Sequence, residues 1–397
     1  MDPGTGVMLT TIALVGIVSY LNKRWNRRQA EKDNIFGTLG FSREGFNDYR
    51  HRIGGASIRV MDRGVNGIEL TVGSAIPSTF EITAGRSDSP LGDPELDRIG
   101  SSSGDRATAL AHLTVGARAA LVKAIKEGWR LTARGLECSI GRPTSEALVE
   151  LIARGKGYLD AVAAGRPKSI SEGLLARVKD DPLPTIRLAA LEALTTHFEA
   201  NLARPSLEPA LAMAIEDSDP DVRLFAGLRT KNPRVIASVA LSSAASDEAR
   251  ARAASVLFDE FADDPNTEDL CDKLNWYLAG DDGPTWPTTG VAAIIGSLGP
   301  HLARPDVRDL VEGALGAEAN PIQLAAIDVL ERAAGLWAVA LLLPLREEGI
   351  FGQVRTAARQ AITAIQAREA GPVGALALSS GETGGLAVVN EAEESSR

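Results

Sequence analysis

The chain has 397 residues, 44% of them hydrophobic, so it can bury a sizeable core and has room for more than one domain. Its net charge of −10 argues against general nucleic-acid affinity, because phosphate binding needs clustered Lys and Arg. Two cysteines, Cys138 and Cys271, cannot build a disulfide framework or a zinc site on their own, and suit a reducing compartment as small buried side chains.

Residues 3–22 carry no charge, and residues 7–21 form a dense apolar run. Lys23, Arg24, Arg27 and Arg28 come directly after it. A secretory signal has its positive charges before the apolar run and a small-residue cleavage site after it, and here that order is reversed. Residues 4–22 are therefore expected to be an uncleaved transmembrane anchor. Tyr20 and Trp25 suit the interfacial belt, and the basic cluster is expected to stay on the cytoplasmic side. The expected location is the inner membrane, single-pass, with the bulk of the chain in the cytoplasm. A buried core helix is the weaker alternative, given the flanking charges.

Residues 34–164 read as a small α+β domain. Residues 31–49 suggest a helix fading into a loop at Gly37, Gly40 and Gly45. Ile58 and Val60 alternate with Ser57, Arg59 and Met61, a half-buried strand over residues 56–62. Asn66-Gly67 supplies a turn, and residues 67–72 alternate again. Residues 79–83 are a third strand, followed by a polar loop over 85–94. Residues 107–127 predict a helix broken at Thr114, which caps the second half. Residues 129–133 and 136–140 form a hairpin about Arg134-Gly135, and residues 144–164 are helical. The segment Gly92-Asp93-Pro94-Glu95-Leu96-Asp97 is similar to one in bacterial membrane-anchored proteins, a likeness that implies no activity. Gly100-Ser101-Ser102-Ser103-Gly104 matches a nucleophile-elbow pattern, but no hydrophobic strand precedes it, so a Ser/Gly loop is expected.

Residues 165–171 are the expected joint, and a repeated pattern occupies residues 170–370. Its best copy starts at Asp219-Pro220: the aspartate is a good N-cap, proline suits the first helical position, and Asp221 complements the helix dipole. Val222 and Ala226 then share a face. Aligned on an arginine, Ala recurs three residues on and small or aliphatic residues at six and seven. Arg187, Arg250 and Arg355 lead good copies. Gln323 replaces the arginine in another, Arg223 leads one with a degenerate second half, and residues 288–298 form a weaker copy without it. Copies about 30 residues apart are the mark of stacked helical hairpins.

This pattern resembles the HEAT repeat family, and the Asp-x-Asp-Pro-x-Val-Arg-x-x-Ala run is most similar to the short variety associated with phycobilin lyases. The resemblance covers about half the chain and implies a mostly α fold with a C-terminal HEAT-like α-solenoid. It further implies that Arg187, Arg223, Arg250 and Arg355, with Asp219 and Pro220, link neighbouring hairpins. Lyase activity does not carry over, since such repeats serve many unrelated proteins. HEAT-like iron hydroxylases carry His-Glu pairs, and none occurs beside His51, His112, His197 or His301. HEAT-like DNA glycosylases use a basic face, which the overall charge argues against.

Residues 259–287 read as an irregular part in which Trp276, Tyr277 and Trp286 pack a non-standard repeat or form a pocket. Asp263-Asp264 and Asp281-Asp282 lack the alternating ligands of a calcium loop and suit helix caps and turns. Residues 338–345 are expected to be a buried helix, interrupted by Pro344. From Gly371 the composition shifts to Gly, Ala, Ser and Glu, and residues 371–397 are expected to be a disordered tail with two apolar patches at 374–378 and 384–389. The functional expectation is a membrane-anchored scaffold that binds protein partners without catalysis, cofactor, metal or nucleic acid. The alternative is an enzyme with a pocket in the α+β domain or near Trp276 and Trp286.

Overall fold

The computed structural model describes residues 36–370, except 46, 54–55, 64–65, 74–79, 87–89, 142, 200–203 and 281–285. The expected anchor with Tyr20, Lys23, Arg24, Trp25, Arg27 and Arg28, and the tail over 371–397, lie outside the described residues. Among the described residues no single helix is long and apolar enough to cross a membrane. The protein is mostly helical, with an antiparallel sheet of eight described strands towards the N-terminus. It divides into two compact units, Met1–Ala210 and Leu211–Arg397.

In the first unit the strands are β1 (Ser42–Arg43), β2 (Asp48–Ile53), β3 (Ala56–Asp62), β4 (Ile68–Gly73), β5 (Phe80–Ala84), β6 (Gly100–Gly104), β7 (Trp129–Thr132) and β8 (Gly135–Ile140), in the order β1-β2-β3-β4-β8-β7-β5-β6. Its helices are α1 (Pro94–Ile99), α2 (Arg106–His112), α3 (Val115–Lys126), α4 (Ser145–Ala163), α5 (Ile170–Asp180) and α6 (Pro184–Glu199). The alternation read in β3 and β4 fixes which face is covered. Ile58, Val60, Leu70 and Val72 are fully buried, each contributing about 1.5–3 kcal/mol. Helix α4 packs on β4 and β8, and α3 packs on β7. Gly155 of α4 lies so close to Trp129 of β7 that a Cβ there would stand 2.5 Å from the indole.

The opposite face carries charge. Arg59 and Asp48 are joined by two short bonds (2.9 and 2.8 Å), Arg130 pairs with Glu137 at 3.0 Å and with Glu69 at 3.4 Å, and Arg63 also pairs with Glu69. The Arg59 hydrogen bonds hold the Asp48 carboxyl below its usual range, and those of Arg63 do the same for Glu69.

Two readings of this unit are corrected. Of residues 31–49, expected to be a helix fading into a loop, Ser42–Arg43 form β1 and Asp48–Tyr49 begin β2; of β2 only Tyr49 is buried, so the strand shows almost no apolar period. Gly100–Gly104 is not a loop but the edge strand β6, paired with β5 from Phe80↔Gly104 to Ala84↔Gly100. The loop expected over 85–94 runs, among its described residues, to Asp93, which caps α1 with Pro94 at its first position, and within it Leu91 is buried.

The expected joint at residues 165–171 is not where contacts divide the chain. Helices α5 and α6 pack on α2, so both belong with the sheet unit. The division falls within α7 (Arg204–Ile215).

The second unit continues through α8 (Pro220–Thr230), α9 (Pro233–Ala240), α10 (Asp247–Glu260), α11 (Pro265–Leu278), α12 (Thr288–Ser297), α13 (Pro305–Leu315), α14 (Asn320–Ala333), α15 (Trp337–Glu348) and α16 (Gly352–Ala370). The even-numbered helices form one row: α8 contacts α10, α10 contacts α12, α12 contacts α14, and α14 contacts α16. In a second row α9 contacts α11, and α11 contacts α13. One apolar cluster runs from Leu224 to Ile365. The residues read as irregular, 259–287, contain the regular helix α11, started by Asp264 and Pro265 with the logic of Asp219 and Pro220. Helix α15 buries Ala338, Val339 and Leu342 with Pro344 inside it.

Candidate functional site

The arginines of the repeat pattern all do the same local work. Arg187 Nη1 donates to Asp181 O (2.9 Å), Arg223 Nη1 to Asp217 O (2.7 Å) and Arg355 Nη1 to Gly349 O (2.6 Å). Arg250 reaches Ser242 O and Ser243 O, both at 2.9 Å, and Gln323 Nε2 reaches Leu315 O at 3.0 Å. Each carbonyl lies at or just past the end of the preceding helix, where backbone acceptors have lost their helical partners. A side-chain cation there satisfies them and complements the negative end of the dipole. Asp219 accepts from Asp221 N (3.0 Å) and Val222 N (3.2 Å), and Pro220 is buried at the first helical position.

One further copy escaped the sequence reading. Pro305-Asp306-Val307-Arg308 repeats Pro220-Asp221-Val222-Arg223 and starts α13. Its arginine does something else: the Arg308 guanidinium lies 4.4 Å from the Trp337 ring centre.

A groove of about 570 Å³ opens between the end of α7 and the flanks of α8 and α9. It is lined by Ile215, Glu216 and Asp217 at the end of α7, by Arg223 of α8, and by Asn232, Arg234, Val235 and Ser238 of α9 and its cap. Arg223 is held by Asp217 O and by Ser218 O (3.1 Å), while Asn232 caps α9 by accepting from Val235 N. Glu216 and Arg234 line the same groove, are exposed, and make no ion pair with one another. Small-molecule sites are mostly apolar. This groove has charged side chains of both signs beside Ile215 and Val235.

The aromatics near α11 do not converge. Tyr277 and Trp286 stack at 5.9 Å, the Tyr277 hydroxyl donating to Trp286 O, whereas Trp276 is 46% exposed. His112 Nδ1 bonds Thr108 O, and His51 lies beside Phe41. Burial pushes both thiols, Cys138 and Cys271, up to about 12. Asp306, 3.8 Å from Cys271, is held below the usual carboxylate range by its Arg304 partner.

His301 is buried against Phe258, and its Nε2 has no hydrogen-bond partner among the described residues. Burial lowers its pKa below 6.5; nearby Asp259 opposes this and Arg304 adds to it. A lowered histidine pKa means that the unfolded chain binds more protons, so stability rises with pH through this window. The contribution is complete above 6.5 and is lost as pH falls below it. Thermal unfolding at pH 5.5 and 7.5 is expected to show a smaller difference for His301→Phe than for the unaltered protein. An equal difference in both would leave His301 without this role.

In the first unit the segment Gly92–Asp97 is part of a buried ionic node that sequence reasoning did not assemble. Arg118, on α3 and 3% exposed, donates from Nε to Asp93 (2.8 Å) and from Nη1 and Nη2 to both carboxylate oxygens of Asp181 (2.8 and 2.9 Å). Its Nη1 also reaches Leu113 O. Arg177 lies 3.6 Å from Asp181, and burial pulls its pKa down. Asp97 accepts from Leu91 N and Gly92 N, both at 2.8 Å, and Thr185 donates to Gly92 O. The node ties the start of α1 to the α5–α6 turn. Its charged groups bond one another, so it holds structure.

No known protein family, curated protein or solved structure matches this chain.

Proposed function

We propose that this protein is a membrane-anchored adaptor whose second unit is a HEAT-like α-solenoid presenting its surface to protein partners. The observation that carries the reading is the row α8-α10-α12-α14-α16, accompanied by the row α9-α11-α13, about one apolar cluster. The recurrent arginine or glutamine bond to the end of the preceding helix supports it. Such stacks gain stability from neighbour to neighbour and use the resulting extended surface for binding. The groove beside Arg223 and Arg234 is the proposed point of contact, since its mixed charges suit a polar peptide. The anchor reading rests on the order of apolar and basic residues in the first 28 positions. It puts the repeats on the cytoplasmic face of the inner membrane.

The test uses two baits, the full-length protein in mild detergent and a form beginning at Asn34, with quantitative mass spectrometry of what co-purifies. A shared partner set is expected. Arg234→Glu is expected to reduce it about 10-fold, the size of a modest interface hot spot. If neither bait retains a specific protein while the soluble form turns over metabolites, the adaptor reading fails and the enzyme alternative takes its place.

A further inference from the structure

The outward face of α11 and α13 carries charge that no described cation answers. Two contacts with the same offset, Cys271 Sγ to Asp306 (3.8 Å) and Leu278 Cδ1 to a Cβ built on Gly313 (3.7 Å), show that these helices run parallel and side by side. Glu268, Asp272 and Trp276 are exposed and follow one another at four-residue steps, so they form one stripe along α11. Asp309 and Glu312 are the exposed carboxylates of α13. The common offset sets them level with Leu274 and Tyr277, the turn that carries Trp276. Among the described residues Glu268, Asp272, Asp309 and Glu312 make no ion pair and no side-chain hydrogen bond. The cations of the two helices are already engaged, Lys273 by Asp269 (2.6 Å) and Arg308 by the Trp337 ring (4.4 Å). Residues 211–370 alone account for the formal net charge of −10. Three other rings of this unit each lie beneath an arginine of the chain: Phe225 beneath Arg229 at 5.4 Å, Phe258 beneath Arg304 at 5.6 Å, and Trp337 beneath Arg308. Trp276 has no such cation among the described residues, although carboxylates flank it on its own helix and on the next.

We propose that the α11–α13 face binds a Lys- and Arg-rich segment of a protein partner, with one cation over Trp276 and its neighbours between the carboxylates. This rests on the adaptor reading, and it names a second contact, apart from the groove, with the chemistry of what docks there. Charge decides the occupant. An acidic segment is repelled by four uncompensated carboxylates, and an apolar one would strip their water and return no hydrogen bond. A basic segment gives them counter-ions, and the indole face attracts a guanidinium or ammonium through its ring quadrupole. Exposed ion pairs are individually weak, so the ring fixes where the segment lies. The summed negative field of the unit speeds the encounter.

The test uses the full-length protein in mild detergent and a fluorescein-labelled peptide of alternating arginine and alanine, read by anisotropy at physiological salt. A glutamate–alanine peptide is the comparison. Saturable binding of the arginine peptide alone is expected. Asp272→Asn with Asp309→Asn is expected to weaken it about 10-fold, the sum of two exposed ion pairs. Trp276→Ala is expected to weaken it about 2–5-fold, the range for a cation over an exposed ring, and Trp276→Phe to retain part of that. Glu248→Gln with Glu318→Gln removes the same charge from exposed positions outside this face, and is expected to change binding less than about 2-fold because salt screens distant charges. Equal weakening by the two charge pairs means that the peptide follows net charge alone and overturns the proposal. So does equal binding of both peptides, or no loss in Trp276→Ala. If the protein carrying Asp272→Asn and Asp309→Asn co-purifies with an unchanged partner set, this proposal falls while the adaptor reading stands.

Discussion

Replacing Arg118 with leucine is expected to cost the first unit about 3–5 kcal/mol, the loss typical of a buried charge left without its partner. The guanidinium is the shared counter-ion of Asp93 and Asp181, and the Asp181 side chain has no exposed surface. Without it two carboxylates stay in a water-poor interior, and the link between the α1 start and the α5–α6 turn is gone. Lysine does not repair this, because a single ammonium cannot reproduce the forked bond to both Asp181 oxygens. Urea unfolding monitored by Trp129 fluorescence measures the effect, since that indole is buried on β7. Adding Asp93→Asn and Asp181→Asn to Arg118→Leu is expected to recover part of the loss, because the uncompensated charge is what costs most. A drop below about 1 kcal/mol for Arg118→Leu would mean that the node is open to water in solution.

Gly290→Ala is expected to destabilise the second unit by about 1–3 kcal/mol, as overpacking does. A Cβ at that position would stand 1.6 Å from Arg250 Nη1 and 2.8 Å from its Cζ. Arg250 has nowhere else to go. It is 2% exposed, it reaches two carbonyls after α9, and it lies where α10 meets α12. Arg250→Ala alone also costs stability, through the abandoned carbonyls and the void. The double variant is expected to cost less than the two single losses together, by about 0.5–3 kcal/mol, the range for residues in contact. Additive losses in urea unfolding monitored by circular dichroism would show that the two side chains do not meet.

Short-range physics was readable in the chain, and long-range partnership was not. The period of Ile58, Val60, Leu70 and Val72, the Thr114 cap, the turn at Arg134-Gly135 and the start at Asp219-Pro220 each depend on residues a few positions apart. All of them appear where the sequence places them. Strand β2 was illegible because Arg50, His51 and Arg52 put polar residues on both of its faces, and only pairing with β3 makes it a strand. β6 was illegible because glycine and serine have little preference for strands, and β5 supplies the ladder. The ionic node joins Asp93, Arg118 and Asp181, which no local period connects. The groove was hidden for the same reason. Arg223 stood out as a repeat residue, but Glu216 and Arg234 did not. Helix α13 is a different case: it shares Pro-Asp-Val-Arg with α8 but has Arg304, which makes no side-chain cap, where α8 has Asp219, and the arginine-aligned pattern does not single it out.

The tetrapeptide Pro-Asp-Val-Arg opens helices in both rows, α8 in one and α13 in the other, with different consequences for its arginine. A start signal is therefore portable, whereas the job of its cation is set by parity along the chain. Deleting or inserting one helix would exchange the rows for everything downstream and send each carbonyl-binding arginine to the wrong side. Lengthening or shortening this array, by gene duplication or by design, has to proceed two helices at a time.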